Sequence, residues 1–283
     1  MTGWTELPIP PWLDWSWALR TLWQEVRAPG ELVDLAAERS AWVHEASEGP
    51  VEISVEVADG LLRVGSAASL DEAVAAVVFR FHLDLPEEGV TQALQLAGVP
   101  GLDQAGAWTR KPAAASGWAH CLTYLAGGDP DDPSIRRLFD ELGGPSGDSP
   151  DLRSAPRPDD VLRAGAGALV DLGIKPSRAQ NLVRLAQVFL DEPDRHDAAQ
   201  LRSLDPHDAV GCIAELPHIG AKRAPYLAAG AWGHDDVSYK PTDIPILQDR
   251  VGLSWPDLLT AIERASPFRS VACDTLAVIA EEA

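Results

Sequence analysis

The sequence predicts a mainly α-helical protein with an N-terminal α+β domain, and three observations carry that reading. The clearest strand pattern, Val51-Glu-Ile-Ser-Val-Glu-Val57, alternates apolar and polar side chains with a period of two. Asp59-Gly60 follows as a two-residue hairpin turn, and residues 61–64 supply the returning strand. Beyond about residue 99 the strand patterns give out, and apolar residues recur with helical spacing instead.

The elements follow in order. Residues 1–30 hold Trp4, Trp12, Trp15, Trp17 and Trp23, read as an aromatic anchor packed on the core. Residues 70–81 read as a helix, so residues 1–98 form an α+β domain around an antiparallel sheet. Residues 99–283 form the helical region. Helices are predicted over 116–126 and 133–142, with the Gly/Asp/Pro breaker 127–133 between them. The Gly/Pro/Ser/Asp-rich stretch 143–158 reads as a linker. Asp159 or Asp160 can cap a helix running to about Leu172, and Gly173 ends it. Ser177 can start the next helix, which places Leu182, Leu185, Ala186 and Phe189 on one face. Residues 207–215, 222–231 and 255–280 are again helical, and there are no internal repeats.

Composition narrows the class. With 283 residues and 46% hydrophobic side chains, the chain can bury a large core. The N-terminus has neither a basic nor an apolar targeting pattern, and no apolar run reaches 18 residues, so neither a signal peptide nor a membrane span is expected. Cys121, Cys212 and Cys273 stand far apart and show no metal-ligand spacing, which fits a reducing cytoplasm. The acidic turn 129–132 reads as solvated rather than metal-binding. His120 and His218 read as surface or packing residues.

The net charge of −20 argues against a nucleic-acid partner bound through Lys and Arg. The charge is uneven, however. Residues 1–150 carry a net −14 and residues 151–283 only −6.

One segment answers the charge objection. Leu216-Pro-His-Ile-Gly-Ala-Lys222 joins two helical patterns, with the hairpin spanning about 208–231 and its second helix beginning near Ala221. At such a junction backbone N–H groups lack intrahelical partners, and the helix dipole adds positive potential. A DNA phosphate can be held there without a basic side chain.

This segment resembles the signature hairpin of the helix-hairpin-helix glycosylase superfamily, Leu-Pro-Gly-(Val/Ile)-Gly-x-(Lys/Trp). An Asp follows about twenty residues later in that family, and Lys240-Pro-Thr-Asp243 supplies it here. Further stretches resemble the AlkA-type 3-methyladenine branch: Asp14-Trp-Ser-Trp17, Phe79-Arg-Phe-His-Leu-Asp84, residues 172–181, Tyr226 and Pro267-Phe-Arg-Ser270. The resemblance implies two helical lobes around a cleft and excision of a damaged, alkylated purine from double-stranded DNA by a monomer.

It also implies roles for individual residues. Asp243 would be the essential carboxylate, stabilising the oxocarbenium character that builds on the sugar or activating the nucleophile. Lys222 stands where bifunctional members keep a nucleophilic lysine, although the alkylpurine branch has Trp there. A helix N-terminus disfavours an ammonium, which suits a lysine that must attack as a free amine. Tyr226 and Phe268 would line the base pocket. Pro217, His218, Gly220 and Lys222 form the phosphate-binding hairpin. Tyr124 or Leu125 would fill the gap left by the flipped base. No cofactor is implied beyond a structural monovalent cation at the hairpin, and no metal.

Two departures stand out. His218 replaces the first hairpin glycine, at a steric cost if the position needs a positive φ. The turn after Cys121 lacks the family's Gln or Asn. Two rival readings follow: an 8-oxoguanine-type bifunctional glycosylase and lyase, for which Lys222 argues, and a non-catalytic helix-hairpin-helix protein binding DNA or protein, for which the charge and His218 argue.

Overall fold

Five antiparallel strands form one sheet in the N-terminal part of the computed structural model, in the order β1-β5-β4-β3-β2. The structure describes residues 3–46, 49–67, 69–99, 108–144, 152–240 and 244–281. The strands are β1 (Gly3–Pro8), β2 (Leu32–Asp34), β3 (Arg39–Ala46), β4 (Gly49–Ala58) and β5 (Leu61–Ser66). Asp59 and Gly60 both take left-handed φ, +54° and +76°, and close the β4–β5 hairpin around the pair Ala58–Leu61. That geometry matches the right-handed twist of the strands it joins. β1, β2 and β3 were not apparent from sequence patterning.

Period-two alternation turns Ile53, Val55, Leu62 and Val64 inward, where all are buried. They share one core with α1 (Trp15–Thr21) and α2 (Leu70–Phe81), and α2 packs on β5. The Phe81 ring lies 4.8 Å from Trp15 and 6.4 Å from Trp42. Arg80, fully buried, lies over Trp42 at 4.4 Å and pairs with Glu31 at 2.6 Å. Trp12 stacks on Trp108 at 4.7 Å, joining the N-terminal part to the helical body. The tryptophan cluster is core only in part. Trp4 and Trp23 are 42% and 43% exposed, each with an arginine over its ring, Arg63 and Arg27 respectively.

The helical body consists of α3 (Glu87–Ala97), α4 (Gly117–Ala126), α5 (Pro133–Leu142), α6 (Pro158–Asp171), α7 (Pro176–Asp191), α8 (Ala198–Ser203), α9 (Pro206–Ala214), α10 (Ala224–Gly230), α11 (Ile244–Val251), α12 (Trp255–Arg264) and α13 (Arg269–Glu281). α6 packs on α7 and α4 on α7, while α3 packs on α12 and α11 on α13. Apolar side chains from the sheet and from both helix groups share one continuous core.

Several boundaries differ from the sequence reading, each for a local reason. Arg157 is the N-cap of α6, Pro158 opens the helix, and Asp159 and Asp160 sit in its first turn, where carboxylates favour the dipole without capping. Gly165, at φ +71° and ψ 168°, breaks the helical path within α6. α7 starts at Pro176, one residue before Ser177. The 255–280 stretch is two helices, broken between Arg264 and Arg269. α3 and α11 carried no distinct signal. Residues 145–151 of the Gly/Pro/Ser/Asp-rich stretch lie outside the described residues.

Candidate active site

The hairpin turn is held by its two apolar residues. Leu216 and Ile219 are 2% and 4% exposed, so they anchor the turn while Gly220, Ala221, Lys222 and Arg223 face solvent. The Ile219 N–H donates to the Leu216 carbonyl at 3.1 Å. His218 and Gly220 are both left-handed, at φ +62° and +67°. His218 therefore occupies the backbone conformation that the family's glycine would take freely, and strain of roughly 1 kcal/mol attaches to its Cβ.

α10 begins at Ala224 rather than near Ala221, because residues 221–223 form a turn. The Gly220 carbonyl accepts from the N–H groups of Arg223 and Ala224 at 3.1 and 3.2 Å. Among the described residues, no backbone acceptor meets the N–H groups of Gly220, Ala221 and Lys222. Nor does any ion pair between described residues involve Lys222 or Arg223. Most of the other arginines are paired with carboxylates. In an acidic chain this leaves two cations beside free N–H donors on one turn. Arg223 also lies 5.2 Å over the ring of Tyr124, which is half-buried on α4. Leu125 is a correction. It is 8% exposed and packs in the core of α4, so it does not reach outward as a wedge.

Asp243 falls outside the described residues. Pro241 and Thr242 lie outside them as well, and the described chain ends at Lys240 and resumes at Ile244. Ile244, 9% exposed, opens α11, and α11 packs on α13. On the N-terminal side the chain from His234 to Lys240 lies along α13, fixed by Ser270, Cys273 and Asp274. The spacing i, i+3, i+4 puts these three on one helix face. The Ser270 N–H donates to the Asp235 carbonyl at 2.9 Å, and the Val237 N–H donates to Ser270 Oγ at 3.2 Å. The Cys273 thiol donates to the Tyr239 carbonyl at 3.2 Å, and burial pushes that thiol up to about 12, which keeps it protonated. The Tyr239 hydroxyl donates to Asp274 Oδ1. Burial and the adjacent Asp274 carboxylate hold the Tyr239 phenol well above its ordinary value.

The two tyrosines sit together. Their ring centroids are 5.1 Å apart at an interplanar angle of 47°, and the Tyr226 hydroxyl donates to the Lys240 carbonyl. Lys240 Nζ lies 5.8 Å from the ring centroid of Trp255 at the start of α12. Tyr226 is 43% exposed, so one side of this aromatic pair is open. Phe268 is half-buried and lies against α3, where a Cβ added to Gly89 would stand 3.4 Å from its ring. Among the described residues no ring contact joins Phe268 to Tyr226. Arg269 next to it grips Asp236 through Nε at 2.8 Å and Nη2 at 3.1 Å, and Glu263 through Nη1 at 2.6 Å.

Behind the tyrosines lies a buried polar cluster that sequence reasoning missed. Arg110 Nη1 meets Asp274 Oδ2 at 2.6 Å, Arg110 Nε meets Asp235 Oδ1 at 3.2 Å, and Arg110 Nη2 donates to the Ala229 carbonyl at 2.9 Å. The Lys111 N–H also donates to Asp274 Oδ2, at 3.0 Å. Asp235 further meets Arg202 at 3.0 Å and His82 Nδ1 at 3.1 Å. Burial lowers the affinity of His82 for a proton, and nearby Arg110 lowers it further, so the imidazole is neutral at pH 7. Burial alone would raise the Asp235 carboxyl. His82, Arg110 and Arg202 instead bring it far below the usual carboxylate range, and with His82 uncharged the two arginines carry that effect. The signal available in the sequence was Ser270, Cys273 and Asp274 at i, i+3, i+4 in a largely apolar helix.

Among the described residues no group of His, Cys, Asp and Glu could hold a metal ion, and no helix is long and apolar enough to cross a membrane.

A five-stranded sheet followed by a helical body with a buried-footed hairpin is the fold of the helix-hairpin-helix DNA glycosylases, and the comparisons with known proteins agree. The chain is 29% identical over 273 residues to DNA-3-methyladenine glycosylase 2 of Escherichia coli (strain K12), covering 93% of this chain and 92% of that one. In structure it is similar to the 3-methyladenine DNA glycosylase from Archaeoglobus fulgidus, with a TM-score of 0.72, 14% identity and coverage of 99% and 98%. It is also similar to the 8-oxoguanine glycosylase/lyase of Clostridium acetobutylicum in complex with double-stranded DNA containing cytosine opposite 8-oxoguanine, with a TM-score of 0.58, 12% identity and coverage of 85% and 88%. No family model matches the chain.

Proposed function

We propose that this chain is a base-excision repair glycosylase that cleaves the N-glycosidic bond of a damaged, alkylated purine in double-stranded DNA. The observation that carries this is the hairpin itself. Two left-handed residues, His218 and Gly220, turn the chain so that free N–H groups and the exposed Lys222 and Arg223 face outward together. A phosphate there gains main-chain hydrogen bonds that an acidic surface elsewhere does not oppose at close range. A monovalent cation at the hairpin would add positive charge beside that phosphate.

The flipped base would enter beside Tyr226, whose open ring face offers stacking. Phe268 would close the pocket from the side of α3, and Tyr124 is the remaining candidate to fill the vacated stack. Asp243 would stabilise the sugar as the base departs. The full-length likeness to a curated 3-methyladenine glycosylase supports this substrate class.

Lys222 favours a second reading, in which its amine attacks C1′, forms a Schiff base and adds lyase chemistry. Its exposure on the turn supports that attack. The test is base release from duplexes carrying alkylated, oxidised or deaminated bases, with borohydride trapping alongside. Release from alkylated duplexes without a trapped adduct supports the hydrolase. A trapped adduct lost in Lys222→Ala supports the lyase. Release from no duplex overturns both.

A further inference from the structure

We infer that Tyr239 and Asp274 are positioning residues: with Arg110 behind them, they clamp the chain at Tyr239 and Lys240, from which it runs on to Asp243. The inference rests on the glycosylase reading above for its catalytic meaning, and on described residues alone for its geometry.

The clamp works through successive contacts. Arg110 and Asp274 are 1% and 0% exposed, so neither has water to compete with its partner. Asp274 Oδ2 accepts from Arg110 Nη1 at 2.6 Å and from the Lys111 N–H at 3.0 Å. That fixes the carboxylate and leaves Oδ1 for the Tyr239 hydroxyl. Tyr239 is then held at both ends, by its hydroxyl and by its carbonyl, which accepts from Cys273. Residue 240 is held in turn through its carbonyl by Tyr226.

α13 thus holds the described chain at both ends of this stretch, Tyr239 through Asp274 and Cys273, and α11 by packing. A buried charged pair is a costly way to gain stability. It is a good way to define one geometry, because its partners accept few alternatives. Displacing a reacting group by about 1 Å can cost on the order of 100-fold in rate.

Tyr239→Phe tests this. It keeps the ring beside Tyr226 and leaves Arg110 and Lys111 on Asp274. Hydrogen–deuterium exchange of the full chain should rise in the peptide covering residues 238–247 and stay unchanged in the hairpin at 216–223. Single-turnover excision from the alkylated duplex should fall by about tenfold or more, while affinity for a duplex with an abasic-site analogue stays within about twofold. Unchanged exchange at 238–247 overturns the clamp. Raised exchange with an unchanged excision rate, or a rate loss matched by an equal loss of affinity, overturns its positioning role. A wild-type chain that excises no base contradicts the glycosylase reading instead, and the exchange result still decides the clamp.

Discussion

Arg110 and Asp274, 164 residues apart in the chain, meet at 2.6 Å with both side chains buried. Burial favours neutral Arg110, but Asp274 and Asp235 outweigh it and keep the guanidinium charged. Removing Asp274 takes away the shorter carboxylate contact of Arg110 and leaves the buried charge to Asp235, at 3.2 Å and shared with Arg202. Asp274→Ala is therefore expected to destabilise the fold by about 3–5 kcal/mol, read from the urea midpoint. A loss below about 1 kcal/mol would mean that Asp235 or water compensates Arg110 without Asp274.

His218 holds a left-handed φ of +62° with an ordinary Cβ. His218→Gly removes that strain and partly offsets it by widening the unfolded ensemble. The net expectation is a gain of up to about 1 kcal/mol in denaturant unfolding. His218→Val, with a β-branched side chain, should lose stability. A glycine variant less stable than wild type would show that the imidazole makes a compensating contact.

Gly117 opens α4 against Trp232. A Cβ there would stand 2.4 Å from the indole, which is 1% exposed and donates from Nε1 to the His196 carbonyl at 2.9 Å. Gly117→Ala should cost about 1–3 kcal/mol by overpacking. Gly211, inside α9 with nothing within 4 Å of its added Cβ, is the control. Gly211→Ala should gain about 0.5–1 kcal/mol from helix propensity. Equal effects at the two sites would contradict the packing at Trp232.

Acid should weaken the fold. His82 is fully buried and its proton affinity is lowered, so the unfolded chain binds a proton that the folded chain refuses. Stability then rises with pH across the window between the folded value and about 6.5, and it falls on acidification below 6.5. The limiting slope is about 1.4 kcal/mol per pH unit for one such group. Asp235 adds a second loss as pH drops below about 4, because its depressed folded value stabilises the fold only above the unfolded one. Tm measured from pH 7.5 to 5.5 should fall, and His82→Asn, which tolerates the left-handed φ of +54°, should flatten the curve. A curve unchanged in the variant would remove His82 from this role.

What the sequence made legible depended on how local each cause was. The β4–β5 hairpin was readable because period-two alternation and Asp59-Gly60 lie in adjacent residues. α2 and α5 matched their predicted spans because their start signals are local. The hairpin turn was readable because Pro217, Ile219 and Gly220 form a recognisable string. β1 was missed because Trp4 read as part of the N-terminal aromatic anchor rather than as a strand position. The Arg110 cluster was missed because its members come from residues 82, 110, 202, 235 and 274, and only folding brings them together. The early start assigned to the second hairpin helix came from treating Lys222 as helical, whereas the Gly220 carbonyl closes a turn through Arg223 before α10 begins.

The central claim is chemical, and Asp243→Asn tests it most directly. Base release from a duplex carrying an alkylated purine would be measured under single-turnover conditions for the wild type and the variant. The account expects release by the wild type and a loss of about 100-fold or more in the variant, the scale seen when a group stabilising transition-state charge is removed. Excision that survives in Asp243→Asn, at near the wild-type rate, would contradict it.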